Sequence, residues 1–384
     1  MNLASETREL ASRIGIRDAV VLTVPEPKAG ERPVRRNRHQ ARRAVISFML
    51  ALIAMTGGLN YALYGPCAAW RDPEYAARRD RLLERQREFK HRPTILVLGS
   101  SRTVEGVRPE VVNGQTGPLL LNGGLVGSGS MLELMSYRRL KAAGLKPTGV
   151  LLEYWPPLLR GDNHAEYGRI DLPRLEPGDL KMVRDYYPDP PSVTRFVYEA
   201  QLWPAWRYRR QILASIRPKW VPDARHDHRF SSGIDRWGWW PGCRDEDADA
   251  ERAKRADIGK NPFRPYLVDY SVGREADRAL RDLLAECRAD GVAVALIVMP
   301  EGPKFRTLYT ADAEQKFRDH LNAISNTYQL PVFNARERDE FSIDLPDDVH
   351  LTQGGAARLT RLLATELPRL FPTLYGKTTA SVVP

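Results

Sequence analysis

The chain has 384 residues, a formal net charge of +10 and 42% hydrophobic residues, enough for one large domain or two modest ones. Aromatic residues at 9% exclude wholesale disorder, and the positive charge is mostly arginine interspersed with acids, with no nucleic-acid-binding signature beside it. Three cysteines (Cys67, Cys243, Cys287) are too few and too far apart for a metal knuckle or a disulfide scaffold, and nothing in the composition calls for a cofactor.

In chain order, residues 1–43 are rich in Pro and Arg and read as a mostly disordered basic tail. Residues 44–64 (AVISFMLALIAMTGGLNYALY) carry no charge over 21 positions, which as a helix would span about 30 Å, the thickness of a hydrocarbon core. The polar extension ahead of this run is too long for a signal peptide, and Pro66 directly before Cys67 argues against a lipoprotein site. Residues 29–43 hold six arginines and residues 65–79 hold three, a bias that places the N-terminus in the cytoplasm and the bulk of the chain outside, with the lipid bilayer as partner.

Residues 65–92 are charged and helix-forming, a stalk or first helix. The α/β region then spans 93–375. Strands are expected at TILVLGSS (94–101), PLLLNGG (118–124), GVLLEYWPP (149–157), VAVALIVMP (292–300) and LPVFNAR (330–336). Helices are expected at 131–145, 274–291, 313–328 and from Gln353 to about Phe371. Residues 158–273, rich in Pro, Trp, Tyr and Arg, break the alternation as a long insertion, and 376–384 form a disordered tail. Apolar strands alternating with amphipathic helices imply a parallel sheet covered on both faces, with ligands beyond the carboxyl ends of the strands.

Three motifs fall at such ends. Gly99-Ser100-Ser101 closes the first strand, where a sharp turn into a helix exposes a hydroxyl and supplies backbone donors; a helix cap is the plainer reading. Asn122-Gly123-Gly124-Leu125-Val126-Gly127-Ser128-Gly129 follows the second strand; it has neither a P-loop lysine nor GxGxxG, which weakens a nucleotide-binding reading. Asp347-Asp348-Val349-His350 precedes the last helix, and an acid three residues before a histidine can orient the ring and stabilise its cation; Asp347 is favoured over Asp348.

Together these blocks resemble the SGNH/GDSL hydrolase superfamily over residues 94–157 and 290–371. The resemblance implies a flavodoxin-like three-layer α/β/α fold with a central parallel sheet, carrying here an N-terminal transmembrane helix and the aromatic-rich insertion. It assigns Ser101 as nucleophile, Asp347 and His350 as its partners, and Gly127 with Asn122 to the oxyanion block. The family's Gly-Asp-Ser becomes Gly-Ser-Ser here, and its Gly-x-Asn-Asp block is replaced by Glu153-Tyr154-Trp155-Pro156-Pro157. An asparagine donor would then be absent or come from elsewhere, Asn163 being one option.

Gly-Ser-Ser plus an anchor is more similar to the acyl-transfer branch, which includes D-alanyl transfer proteins of lipoteichoic acid synthesis and polysaccharide O-acetyltransferases. That implies an envelope ester or glycan substrate and a membrane protein as acyl donor. The competing reading is an inactive scaffold of an envelope assembly on the same fold.

Other candidates carry a plain and a functional reading. Arg102 either binds a substrate anion or forms a structural ion pair. Glu153 is a site residue or a satisfied buried acid. His226 and His228 are surface residues rather than ligands. Trp203, Trp206, Trp237, Trp239 and Trp240 form the insertion's own core rather than a sugar platform.

Overall fold

In the computed structural model, which describes residues 38–114, 117–160, 174–187, 190–221, 231–254 and 261–375, the five apolar runs are the strands of one parallel sheet. The chain divides into two units, Met1–Ile53 and Ala54–Pro384. The described part of the first is the leading portion of helix α1 (Arg38–Tyr64), which is long and apolar enough to cross a membrane.

In the second unit, α2 (Pro73–Glu88) starts at Asp72, whose carboxylate accepts the Tyr75 N–H at 3.2 Å. It buries Tyr75 and Leu82 in the main core, so this segment is an integral layer of the domain and not a free-standing stalk. There follow β1 (Thr94–Leu98), α3 (Ser101–Gly106), β2 (Leu119–Asn122), α4 (Ser130–Ala142) and β3 (Gly149–Glu153). The insertion is a string of helices, among them α5 (Leu180–Tyr186), α6 (Pro190–Leu202), α7 (Pro204–Arg207) and α8 (Arg209–Ile216), two of them started by prolines. The fold then resumes with α9 (Arg274–Ala289), β4 (Ala293–Val298), α10 (Ala311–Tyr328), β5 (Val332–Asn334) and α11 (Gln353–Leu370).

The strand order is β2-β1-β3-β4-β5, the flavodoxin-like arrangement that the resemblance implies. Register runs Val97↔Asn122, Leu98↔Leu152, Leu152↔Leu296 and Ile297↔Phe333. Alternate residues face opposite layers. Leu96, Leu98, Val150, Leu152 and Leu296 pack against α2, α4, α9 and α10, whereas Ile95, Val97, Leu151, Ala295 and Ile297 pack against α11. Helix α9 shows why the outer layers form: Ala276, Ala279, Leu280, Leu283, Leu284 and Cys287 recur at three- and four-residue spacing, so one stripe is apolar while the rest is charged.

Because every strand runs the same way, all five carboxyl ends emerge at one edge. There Gly99-Ser100-Ser101 leaves β1, the glycine loop leaves β2, Glu153 ends β3, and Met299-Pro300-Glu301 follows β4. The three cysteines are unpaired.

Candidate active site

Helix α3 has six residues, too few to hold itself together in water, so its neighbours must fix it. At its start, the Ser100 hydroxyl accepts the Arg102 N–H at 3.2 Å and donates to Glu153 Oε2 at 3.0 Å. Glu153 also accepts from the Ser100 N–H at 2.7 Å and from Thr103 Oγ1 at 2.8 Å. The carboxylate at the end of β3 is therefore a satisfied buried acid that ties down the turn before Ser101. The turn requires glycine at 99, where a Cβ would lie 2.2 Å from Thr103 Oγ1 and 2.5 Å from Glu153 Oε2.

At the other end of α3 the orphan carbonyls are claimed by distant residues. The Asn122 amide donates to Thr103 O at 2.8 Å and Val107 O at 2.7 Å, Trp239 Nε1 donates to Glu105 O at 2.7 Å, and the Trp240 N–H donates to Val104 O at 3.2 Å.

Ser101 is the first residue of α3, so the helix itself leaves its N–H unused. Its hydroxyl lies 2.8 Å from His350 Nε2. His350 Nδ1 lies 2.7 Å from Asp347 Oδ2, while Asp347 Oδ1 accepts the His350 N–H at 2.8 Å and the Val349 N–H at 3.1 Å. One carboxylate thus fixes both the loop and the ring, and the ring's far nitrogen faces the serine. With Nδ1 carrying a proton shared with Asp347, neutral His350 presents a lone pair at Nε2. Asp348 is the left-handed residue of this turn, at φ 67°, and does not orient the ring.

The electrostatics follow from this arrangement. Burial lowers the imidazole's affinity for a proton, but the Asp347 carboxylate, then Glu105, outweigh it and raise its pKa from 6.5 to about 9. Burial raises the Asp347 carboxyl, yet His350 and two backbone donors together hold it far below the usual range. The His350 side chain keeps 23% of its surface exposed, so a substrate can reach the pair.

Two of the expected site residues sit elsewhere. Asn122 is fully buried and its amide is spent on α3, with Oδ1 accepting the Gly124 N–H at 3.1 Å; it positions the serine's helix and has no free donor for an oxyanion. The Arg102 side chain has no exposed surface. It donates to Met299 O and Pro300 O at 2.9 and 2.7 Å, lies 3.8 Å from both Glu153 and Glu301, and sits 4.6 Å over the Trp155 ring. Its place at the second position of α3 turns it under the sheet edge, where carbonyls and carboxylates collect, and away from any substrate.

Gly127 lies on a loop joined to the serine's turn by the Leu125 N–H to Gly99 O bond of 2.9 Å. The loop's own contacts engage the N–H groups of Gly123, Gly124, Leu125, Val126 and Ser128, and Gly127 has φ 71°. Asn163, His226 and His228 lie outside the described residues.

Sequence reasoning missed two features. Trp155 Nε1 and Tyr309 Oη donate to Glu301 at 2.8 and 2.9 Å, and Arg336 Nε donates to it at 2.6 Å. The stretch Glu153–Pro157 that ends β3 thus anchors a buried ionic network through Trp155. The other is the strap 231–245, a part of the insertion. Trp237 joins the main core and Trp239 is buried, whereas Trp203 and Trp206 are exposed, so these rings do not make a separate core. The strap reaches α3 through Trp239 and Trp240, and reaches the start of α11 through Asp245, which accepts from Thr352 Oγ1 at 2.8 Å and from the Gly354 N–H at 2.9 Å.

Where the strap passes β2, Gly238 has φ 91° and an added Cβ would stand 2.0 Å from the Asn122 carbonyl oxygen. Gly238→Ala is expected to destabilise the protein by more than ~1 kcal/mol, measured by denaturant titration, because both the dihedral and the close approach oppose it.

No family model matches the chain, and no curated protein matches it. Among solved structures it is similar to a protein described as an acylhydrolase of Bacteroides fragilis (11% identity, TM-score 0.33, covering 74% of this chain and 93% of that one). It is likewise similar to a GDSL-like lipase of Bacteroides thetaiotaomicron (12%, 0.34, covering 76% and 98%) and to TesA (11%, 0.31, covering 72% and 99%).

Proposed function

We propose that the chain is a membrane-anchored serine esterase or O-acyltransferase of the SGNH/GDSL type, acting on an ester or glycan outside the cytoplasm. The observation that carries this reading is the unbroken line Ser101 Oγ, His350 Nε2, His350 Nδ1, Asp347 Oδ2, with links of 2.8 and 2.7 Å. A hydroxyl, a base and the base's orienter, partly open to solvent at the strand ends, make a nucleophile for acyl transfer.

In the proposed reaction, His350 takes the Ser101 proton as Oγ bonds to the acyl carbon. The backbone N–H groups of Ser101 and Gly127 stabilise the oxyanion. His350 passes the proton to the departing oxygen, leaving an acyl-serine. Water or a sugar hydroxyl, deprotonated by His350, then attacks that ester and Ser101 recovers its proton. Where a membrane protein supplies the acyl group, the first ester or thioester is its cargo. The anchor is α1, oriented with its arginine-rich end in the cytoplasm.

A fluorophosphonate probe tests this directly, since an activated serine attacks its phosphorus, expels fluoride and is left phosphonylated. Label should appear on Ser101 in the full chain and vanish in His350→Ala. A folded wild-type chain that takes no label would favour the scaffold reading, to which the engaged amide of Asn122 and the replaced third block lend support.

The pH dependence has a definite sign. The base works only when unprotonated, so kcat/KM for a neutral ester should climb with pH through a midpoint near 9, not near 7. Asp347→Asn should move that midpoint down, as the charge holding the proton is removed. A pH–rate profile on a p-nitrophenyl ester, corrected for spontaneous hydrolysis, would show both. For stability the same raised imidazole contributes fully below its ordinary range and loses that contribution as pH rises through about 9.

A further inference from the structure

The site's machinery leaves one surface unused. Helices α6 and α8, with Tyr208 between α7 and α8, pack on the last turns of α1. Leu63 is fully buried with Phe196, Ala200 and Tyr208. Asn60 Nδ2 donates to Gln201 O at 2.7 Å, and the Tyr64 and Tyr208 hydroxyls meet at 3.1 Å. The outward side of the same segment exposes large apolar side chains among basic ones. Trp203, Trp206 and Trp220 are 60%, 68% and 71% exposed, with Leu202 and Ile216 exposed beside them. Single exposed apolar residues are ordinary on a soluble surface, but three open tryptophans in one 31-residue stretch, 190–220, are not.

We infer that α6–α8 and Trp220 form a collar seated in the headgroup layer of a lipid bilayer, around the point where α1 emerges. The inference rests on the reading of α1 as a membrane span. Two arguments select lipid as the occupant. The first is continuity: the residues of α1 that the collar grips, Asn60 to Tyr64, are the end of the 44–64 apolar run, so a bilayer spanned by that run has its boundary at the collar. Tryptophan favours that boundary, its ring body among acyl chains and its N–H toward water. The second is charge. Residues 190–220 carry Arg195, Arg207, Arg209, Arg210, Arg217 and Lys219 against Glu199 alone, which suits anionic headgroups.

The test uses the full chain reconstituted in phosphatidylcholine–phosphatidylglycerol vesicles, with tryptophan emission as the readout. Helix α1 contains no tryptophan, so quenching cannot arise from the span. Lipids brominated on the acyl chains should quench the wild type. That quenching should drop at least about threefold in Trp203→Phe/Trp206→Phe/Trp220→Phe, a variant that touches no buried side chain. The same three rings should resist aqueous iodide. Ready quenching by iodide without quenching by bromolipid would overturn the collar, and wild-type protein alone decides this. Protection from both quenchers would also overturn it, since a second copy or another protein would then cover the surface. Flotation after alkaline carbonate separates the two readings. A chain that floats yet shows unaltered bromolipid quenching in the triple variant refutes the collar alone, whereas a chain left in the aqueous fraction refutes the span and the collar with it.

Discussion

Replacing Ser101 by alanine is expected to lower kcat on an acyl ester by at least about ten-thousandfold while KM changes little, because the lost group acts only as the transition state forms. The geometry makes the forecast sharp. The Ser101 hydroxyl has a base at 2.8 Å, and that base is held by a carboxylate at 2.7 Å. His350→Ala should cost about as much as Ser101→Ala, and the double variant little more than either, since the groups work as a unit. Burst kinetics on a chromogenic ester, with folding followed by circular dichroism, would check this. Turnover surviving in Ser101→Ala would remove the nucleophile assignment and leave the chain with the scaffold reading.

The largest expected effect on stability is at the neighbouring residue. Arg102→Met should destabilise the protein by about 3–5 kcal/mol. The guanidinium has no exposed surface, two carboxylates lie 3.8 Å away, and two backbone carbonyls accept its protons. Methionine fills the space but strands Glu153 and Glu301 without that positive partner. Arg336 still reaches Glu301, so the damage should concentrate at Glu153 and loosen the Ser100–Thr103 turn. Urea titration in detergent, followed by tryptophan emission, measures it. A loss below ~1 kcal/mol would mean that Arg102 is not what balances the two acids.

Much of this architecture could be read in the sequence because burial on both faces leaves a plain signature. A strand covered on two sides cannot alternate, so TILVL, GVLLE and AVALIV stand out as unbroken apolar runs. The helices between them carry one apolar stripe and are legible for the converse reason. The Asp-x-x-His pair was legible too, because only three residues separate the partners and a local turn suffices to join them.

What the sequence hid was direction and distance. Asn122 and Arg102 have the chemistry of substrate-binding residues, and residue type does not say whether an amide faces a ligand or the end of a helix. Their roles are set by α3 and by the chain after β4, far away along the sequence. The insertion was opaque because, α6 apart, its helices are too short for a periodic signal. Its tryptophans divide between the core and the surface according to partners from α1, α2 and α3, and no local pattern encodes that division.

Ser101 and His350 are 249 positions apart, with four strands and the whole insertion between them. A nascent chain that has emerged as far as residue 340 therefore carries a hydroxyl but nothing to deprotonate it. Any activity would switch on only when the final stretch, Asp347 to α11, docks.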